Sequence, residues 1–135
     1  MKSPITITSD SLPPYLKPPP GDMSADTMHF IRERGAFTVP ETTLRNQLLQ
    51  CYVDYVYPFM PSIDLRSFLR IVIGEDKGAE KVSLLLFHAI MFTGTAFVDM
   101  GLLERAGYKT RIEARTAFYN KVRVCVKFKS ALSPY

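Results

Sequence analysis

At 135 residues, with 47% apolar and 22% charged side chains, the chain has the composition of one globular domain and is too short for two. A formal charge of +4 invites a nucleic-acid partner, yet the surplus of seventeen Lys and Arg over thirteen Asp and Glu equals Lys121, Arg123, Lys127 and Lys129 alone. Residues 1–120 therefore balance to zero, and only the C-terminal stretch attracts phosphate, which excludes a broad basic reading face.

In chain order, residues 1–23 hold six prolines and no helical period, which predicts an extended, disordered linker. The opening MKSPITITSD lacks the cationic-then-apolar pattern of a secretory signal. Ser24 is placed to cap a helix over residues 25–34, with Asp26 in its first turn and Gly35 ending it. Met28 and Ile31 would face inward.

Residues 40–68 form the centre. Pro40 suits a first helical position, and Leu44, Leu48, Cys51, Tyr52, Tyr55 and Phe59 come after it at spacings of three and four. This predicts a helix over residues 41–57 with a broad buried stripe. Arg45 is its one charge, and Asn46, Gln47, Gln50 and Asp54 are its polar edge. Pro58 and Pro61 stop it, and Asp64 is placed to cap a helix over residues 65–73 carrying Leu65, Phe68, Leu69 and Val72 inward.

The stretch 74–78, reading GEDKG, predicts a polar surface loop; it lacks the Gly-Lys-Ser/Thr ending of a phosphate cradle. Residues 82–98 carry no formal charge but include Ser83, His88, Thr93, Gly94 and Thr95, so a buried core helix over residues 80–98 is expected rather than a membrane span. Small residues Ala89, Gly94 and Ala96 would admit a neighbouring helix. Asp99 is placed to cap a turn over residues 100–106 that Gly107 ends. Thr110 and Glu113 form a capping box for a helix over residues 111–123 with Ala114, Phe118, Val122 and Cys125 inside. From Val122 the run Val-Arg-Val-Cys-Val-Lys-Phe-Lys alternates with a strand-like period of two.

No reaction chemistry is assembled. His29 and His88 have no Cys, Asp or Glu at metal-ligand spacing, and His88 is expected as a hydrogen-bonded core histidine. GxSxG, HExxH and GxGxxG are absent. Cys51 and Cys125, in apolar stripes, are expected as inert reduced thiols; two cysteines cannot hold even one structural zinc. No catalytic, cofactor-binding or metal residue is assigned, and an enzyme is not expected.

The pattern Leu44-x-x-x-Leu48-Leu49-x-x-Tyr52-Val53-x-x-Val56-Tyr57-Pro58-x-x-Pro61-x-x-Asp64-x-x-x-Phe68, preceded by Gly35-Ala36-Phe37-Thr38-Val39-Pro40, resembles the opening of the fungal-specific transcription factor regulatory domain, in its cutinase transcription factor branch. Tyr57 stands where family members often have His. The resemblance implies an all-α, irregular helical array. Residues 24–123 would be the N-terminal part of a larger helical regulatory domain, lying between the 1–23 linker and a basic tail over residues 124–135 that departs from the family pattern. The expectation for that tail is non-family sequence of the kind a retained intron, a shifted frame or a mistaken gene model produces, the alternative being a natural short isoform with a basic tail. The implied function is modulation of DNA-dependent transcription through helical packing and protein interaction. The implied location is the nucleus, or the cytoplasm if a targeting segment is lacking.

Implied partners are other protein segments or the transcription machinery, with self-association through exposed apolar helix faces and no membrane. Zinc and DNA contact are implied only for the family's six-cysteine module, which these residues do not contain. Target genes in lipid or plant-polymer use are also implied. The alternative is a helical sensor of a small inducer, with a pocket near His88 and Thr93 and no direct DNA role.

Overall fold

The computed structural model describes residues 6–7, 13–18, 23–74 and 80–128, which form six α-helices and one two-stranded ladder. The expected loop at residues 75–78 and the tail beyond residue 128 lie outside the described residues. Thr6–Ile7 (β1) pairs antiparallel with Val39–Pro40 (β2). Helix α1 (Ala25–Glu33) starts where the Ser24 hydroxyl accepts the Thr27 N–H at 3.2 Å and ends before Gly35, whose φ of 80° is the left-handed turn that favours glycine. The chain then runs inward, burying Ala36, Phe37 and Val39.

Helix α2 (Thr42–Cys51) begins one residue later than expected. Pairing with β1 holds Pro40 in the ladder, and Glu41 takes the cap, its two carboxylate oxygens accepting the N–H groups of Thr43 (2.9 Å) and Leu44 (3.0 Å). Leu44, Leu48 and Leu49 are buried as the rhythm predicts. The helix then passes into a π-helical turn, Tyr52–Val56, closed by a 2.9 Å bond from the Tyr57 N–H to the Tyr52 carbonyl. One extra residue in a turn rotates the side chains beyond it by about 100°. Tyr52 stays buried while Tyr55 and Phe59 turn outward, which corrects the expectation of a buried stripe running through both.

Helix α3 (Leu65–Val72) is capped by Asp64, which accepts from the Ser67 N–H and hydroxyl, and it buries Phe68 and Val72. Helix α4 (Leu84–Gly94) is shorter than the 80–98 span. The Ser83 hydroxyl caps it by accepting the Leu86 N–H at 3.1 Å, and beyond Gly94 the chain turns, with the Phe97 and Val98 N–H groups both donating to the Gly94 carbonyl. Helix α5 (Met100–Arg105) is capped by Asp99, and Gly107, with φ 105°, comes just after it. Helix α6 (Arg111–Lys127) opens on Thr110, which accepts the Glu113 N–H at 3.0 Å; the Glu113 carboxylate reaches back to the Lys109 N–H at 2.7 Å, one residue before the box partner expected.

The strand-like reading after Val122 is corrected: α6 continues through Lys127. Cys125 lies four residues past Lys121 and seven past Phe118, on the face already buried by Ala114, so the core holds the helix on. Lys121, not Val122, occupies that inner face.

Helix α4 packs against both α2 and α6, which matches its apolar character on every side. At Gly94 α4 comes so near α2 that an added Cβ would lie 2.5 Å from the Leu48 carbonyl oxygen, so only glycine fits. A seal over this core corrects the linker expectation for residues 13–18. Leu16 is 1% exposed and bridges Val82, with Val82 N–H to Tyr15 carbonyl at 2.7 Å and Lys17 N–H to Val82 carbonyl at 2.9 Å. The Tyr15 ring lies 5.5 Å from that of Phe87 and the Arg45 guanidinium covers it at 5.4 Å, which accounts for the one charge on the α2 stripe. The segment turns at residues 13–16, where the Leu16 N–H donates to the Pro13 carbonyl at 3.1 Å, and the fixed φ of its prolines reduces the conformational entropy lost on docking.

Candidate interaction surface

The π turn and the turn after α4 together display a pair of aromatic rings. Tyr55 and Phe97 stack with centroids 5.0 Å apart and planes 19° from parallel, and they are 53% and 48% exposed. Phe59 and Met60 lie in the next turn, whose N–H groups donate to the Val56 carbonyl, and they are 82% and 64% exposed.

The turn bearing Phe97 is fastened from below. The Arg111 guanidinium donates to the Thr95 and Val98 carbonyls, both at 2.8 Å, and Arg115 donates to the Thr95 hydroxyl at 3.2 Å while covering the Phe92 ring at 4.5 Å. Two cations thus satisfy the carbonyl end of α4, where the helix dipole is negative. A fixed apolar ridge of this kind suits packing against another protein surface.

The polar groups of the interior serve the fold. His88 Nε2 donates to the Ala36 carbonyl at 2.7 Å. Its burial, and after that the nearby Lys121 charge, pushes its pKa down to about 3, so the ring is neutral. Lys121 is 7% exposed, its ammonium 3.4 Å from the Thr38 carbonyl and 5.4 Å from the Phe118 ring, and burial pulls its pKa down to about 8. Two helices therefore each send one nitrogen to the carbonyls of residues 36 and 38, tying the inward run of the chain to α4 and α6. Sequence reasoning missed Lys121; the 114, 118, 121, 125 spacing was the signal that placed it inside.

The other residues singled out do not converge. Thr93 turns its hydroxyl back to the Ile90 carbonyl at 2.8 Å, and a groove of about 760 Å³ between α1 and α6 includes neither Thr93 nor His88. His29 is exposed and pairs with Glu33 at 3.3 Å; Asp54 accepts from Gln50 at 2.9 Å. Burial raises the Cys51 thiol pKa, helped by Asp54 and opposed by Arg111, and burial pushes Cys125 to about 12. The family's zinc cluster does not fit these residues: the two thiols stand on α2 and α6, and among the described residues no three His, Cys, Asp or Glu gather around a common point. Among the described residues no helix is long and apolar enough to cross a membrane.

Comparison with known proteins points the same way as the residues. The chain is 44% identical over 117 residues to cutinase transcription factor 1 beta of Fusarium vanettenii, a match covering 87% of this chain and 13% of that protein. It is 42% identical over 113 residues to a transcription factor of Fusarium pseudograminearum, covering 84% and 12%, and 34% identical over 113 residues to transcription factor cpaR of Aspergillus oryzae, covering 84% and 19%. The chain thus spans less than a fifth of the length of these relatives. No family model matches, and no solved structure matches. On this homology, joined to the signature over residues 44–68, the chain belongs to the fungal transcription factor family that includes the cutinase transcription factors.

Proposed function

We propose that the chain is part of the regulatory domain of a fungal zinc-cluster transcription factor, working in the nucleus. In this reading it modulates DNA-dependent transcription by packing against other protein segments, while DNA is read by a zinc cluster elsewhere in the longer protein. The observation that carries the reading is the exposed Tyr55–Phe97 stack on a turn held by Arg111 and Arg115. An apolar pair held rigid and left open suits an interface, because ordering it on binding loses little entropy. The balance of charge over residues 1–120 agrees with a module that does not itself grip phosphate.

A reporter assay tests it. The chain is placed between a heterologous DNA-binding domain and an activation domain, and output is compared with a flexible spacer of equal length. The expected result is output changed several-fold by the chain and restored toward the spacer level by Tyr55→Ala with Phe97→Ala. Equal output from chain and spacer would remove the regulatory role; a change that the double variant retains would move it to another surface.

A further inference from the structure

We propose that the groove between α1 and the C-terminal half of α6 docks an acidic, amphipathic peptide segment. It holds about 760 Å³ and is lined by Phe30 and Arg34 at α1 and by Tyr119, Arg123, Val126 and Lys127 on α6. Among the described residues its lining includes three cations and no carboxylate. Tyr119, Arg123, Val126 and Lys127 recur at three- and four-residue steps on one face of α6, beside the face that Ala114, Phe118, Lys121 and Cys125 bury. Two of the four cations that give the whole chain its surplus are thereby concentrated in this one groove.

Charge alone would suit any anion, and the apolar part decides among them. Tyr119 and Val126 are 48% and 57% exposed, so the face offers apolar area alternating with cations, the complement of a peptide that alternates acidic and large apolar residues. Stacking of nucleic-acid bases needs open ring faces. The Phe30 ring is covered by Arg34 at 4.7 Å and Lys127 at 5.6 Å and packs on Phe128 at 5.4 Å, and Tyr119 already packs on Phe92 at 5.6 Å. Valine has no π-face to offer a base.

This names a partner chemistry and rests on reading the chain as a protein-binding module; its residues are separate from the Tyr55–Phe97 stack, so either surface can fail without the other. The test is fluorescence anisotropy of the full chain with three labelled probes: a short peptide alternating Glu with Leu or Phe, the same peptide with Gln for Glu, and an oligothymidylate. The acidic peptide is expected to bind at least about tenfold tighter than its Gln counterpart, with affinity falling as salt rises. Arg123→Glu with Lys127→Glu is expected to weaken it about tenfold or more, while Phe97→Ala leaves it unchanged. Should the double reversal disturb α6 by circular dichroism, Arg123→Gln with Lys127→Gln keeps the helix formers and is expected to weaken binding about threefold. Equal binding of the acidic and Gln peptides, indifference to both double variants, or tighter binding of the oligothymidylate would overturn the proposal.

Discussion

The helix that begins at Thr42 carries one apolar rhythm to two different fates. In its first three turns Leu44, Leu48 and Leu49 are buried, and Leu48 meets α4 at Gly94. Tyr55 in its π turn and Phe59 in the turn just past it continue the same spacing and stand 53% and 82% exposed. The side chains are equally apolar, so hydrophobicity does not separate them. The pitch does. A stripe stays on one face only while the helix keeps 3.6 residues per turn, and the π turn at Tyr52–Val56 breaks that phase. One half therefore builds the core, and the other is free for display.

The largest effect separates these halves by stability. Leu48→Ala is expected to lower unfolding free energy by about 3 kcal/mol, because the cavity lies between two helices that Gly94 already brings together against the Leu48 backbone. Tyr55→Ala is expected to change it by less than about 1 kcal/mol, the scale of one partly exposed ring pair. Urea unfolding monitored by circular dichroism measures both. Comparable losses would mean that the π turn does not release Tyr55 from the core.

What could be read from residues alone divides along the same line. Local chemistry was legible: Ser24, Asp64 and Thr110 cap where expected, because a cap depends on a side chain and an N–H three residues on. The burial of α4 was legible because no face of it is polar. Pitch was not: nothing in Tyr52-Val53-Asp54-Tyr55-Val56 marks an added residue in the turn. The end of α6 misled because Val122, Val124 and Val126 recur at a period of two, yet tertiary burial of Cys125 outweighed the strand preference of valine. Leu16 was hidden in a proline-rich segment whose composition says linker, yet its side chain fills the core. The interaction surface was thus half visible: its aromatics were plain, their exposure was not.

The part of the core where residues 36–38 meet His88 and Lys121 is expected to make stability depend on pH. His88 refuses a proton in the folded chain down to about pH 3, whereas the unfolded chain takes one near 6.5, so stability falls as pH drops below 6.5, by up to about 1.4 kcal/mol per pH unit. Lys121 works on the alkaline side. Folded, it releases its proton near 8; unfolded, it keeps it to 10.5, so the unfolded state binds more protons in that window and stability rises from pH 8. Cys125 opposes from pH 9, because the unfolded thiol ionises there and the buried one holds its proton to about 12. The net expectation is a gain of about 1 kcal/mol between pH 7.5 and 9, and a plateau above that. Lys121→Met is expected to abolish the gain and to make the acid loss shallower, since the Lys121 charge adds to the depression of His88. Urea midpoints across pH 4 to 10 provide the check; a gain that persists in Lys121→Met would assign it to another group.

The smallest effect on stability carries the sharpest contrast in behaviour. Tyr55, Phe59, Met60 and Phe97 leave apolar area open on the side where α2 loses its phase, and in a concentrated solution of the chain that area can be covered by another copy. Sedimentation velocity is expected to show mass increasing with protein concentration. Tyr55→Ser with Phe97→Ser is expected to restore a monomer while shifting unfolding free energy by no more than about 1 kcal/mol, since both side chains are half exposed and touch the core little. Leu48→Ala should do the reverse, loosening the fold and leaving the displayed ridge in place to associate. If the serine pair unfolds the chain, the rings belong to the core; if association survives it in a folded chain, the cover lies elsewhere. Only loss of association with the fold intact separates a surface that holds the protein together from one that joins it to something else.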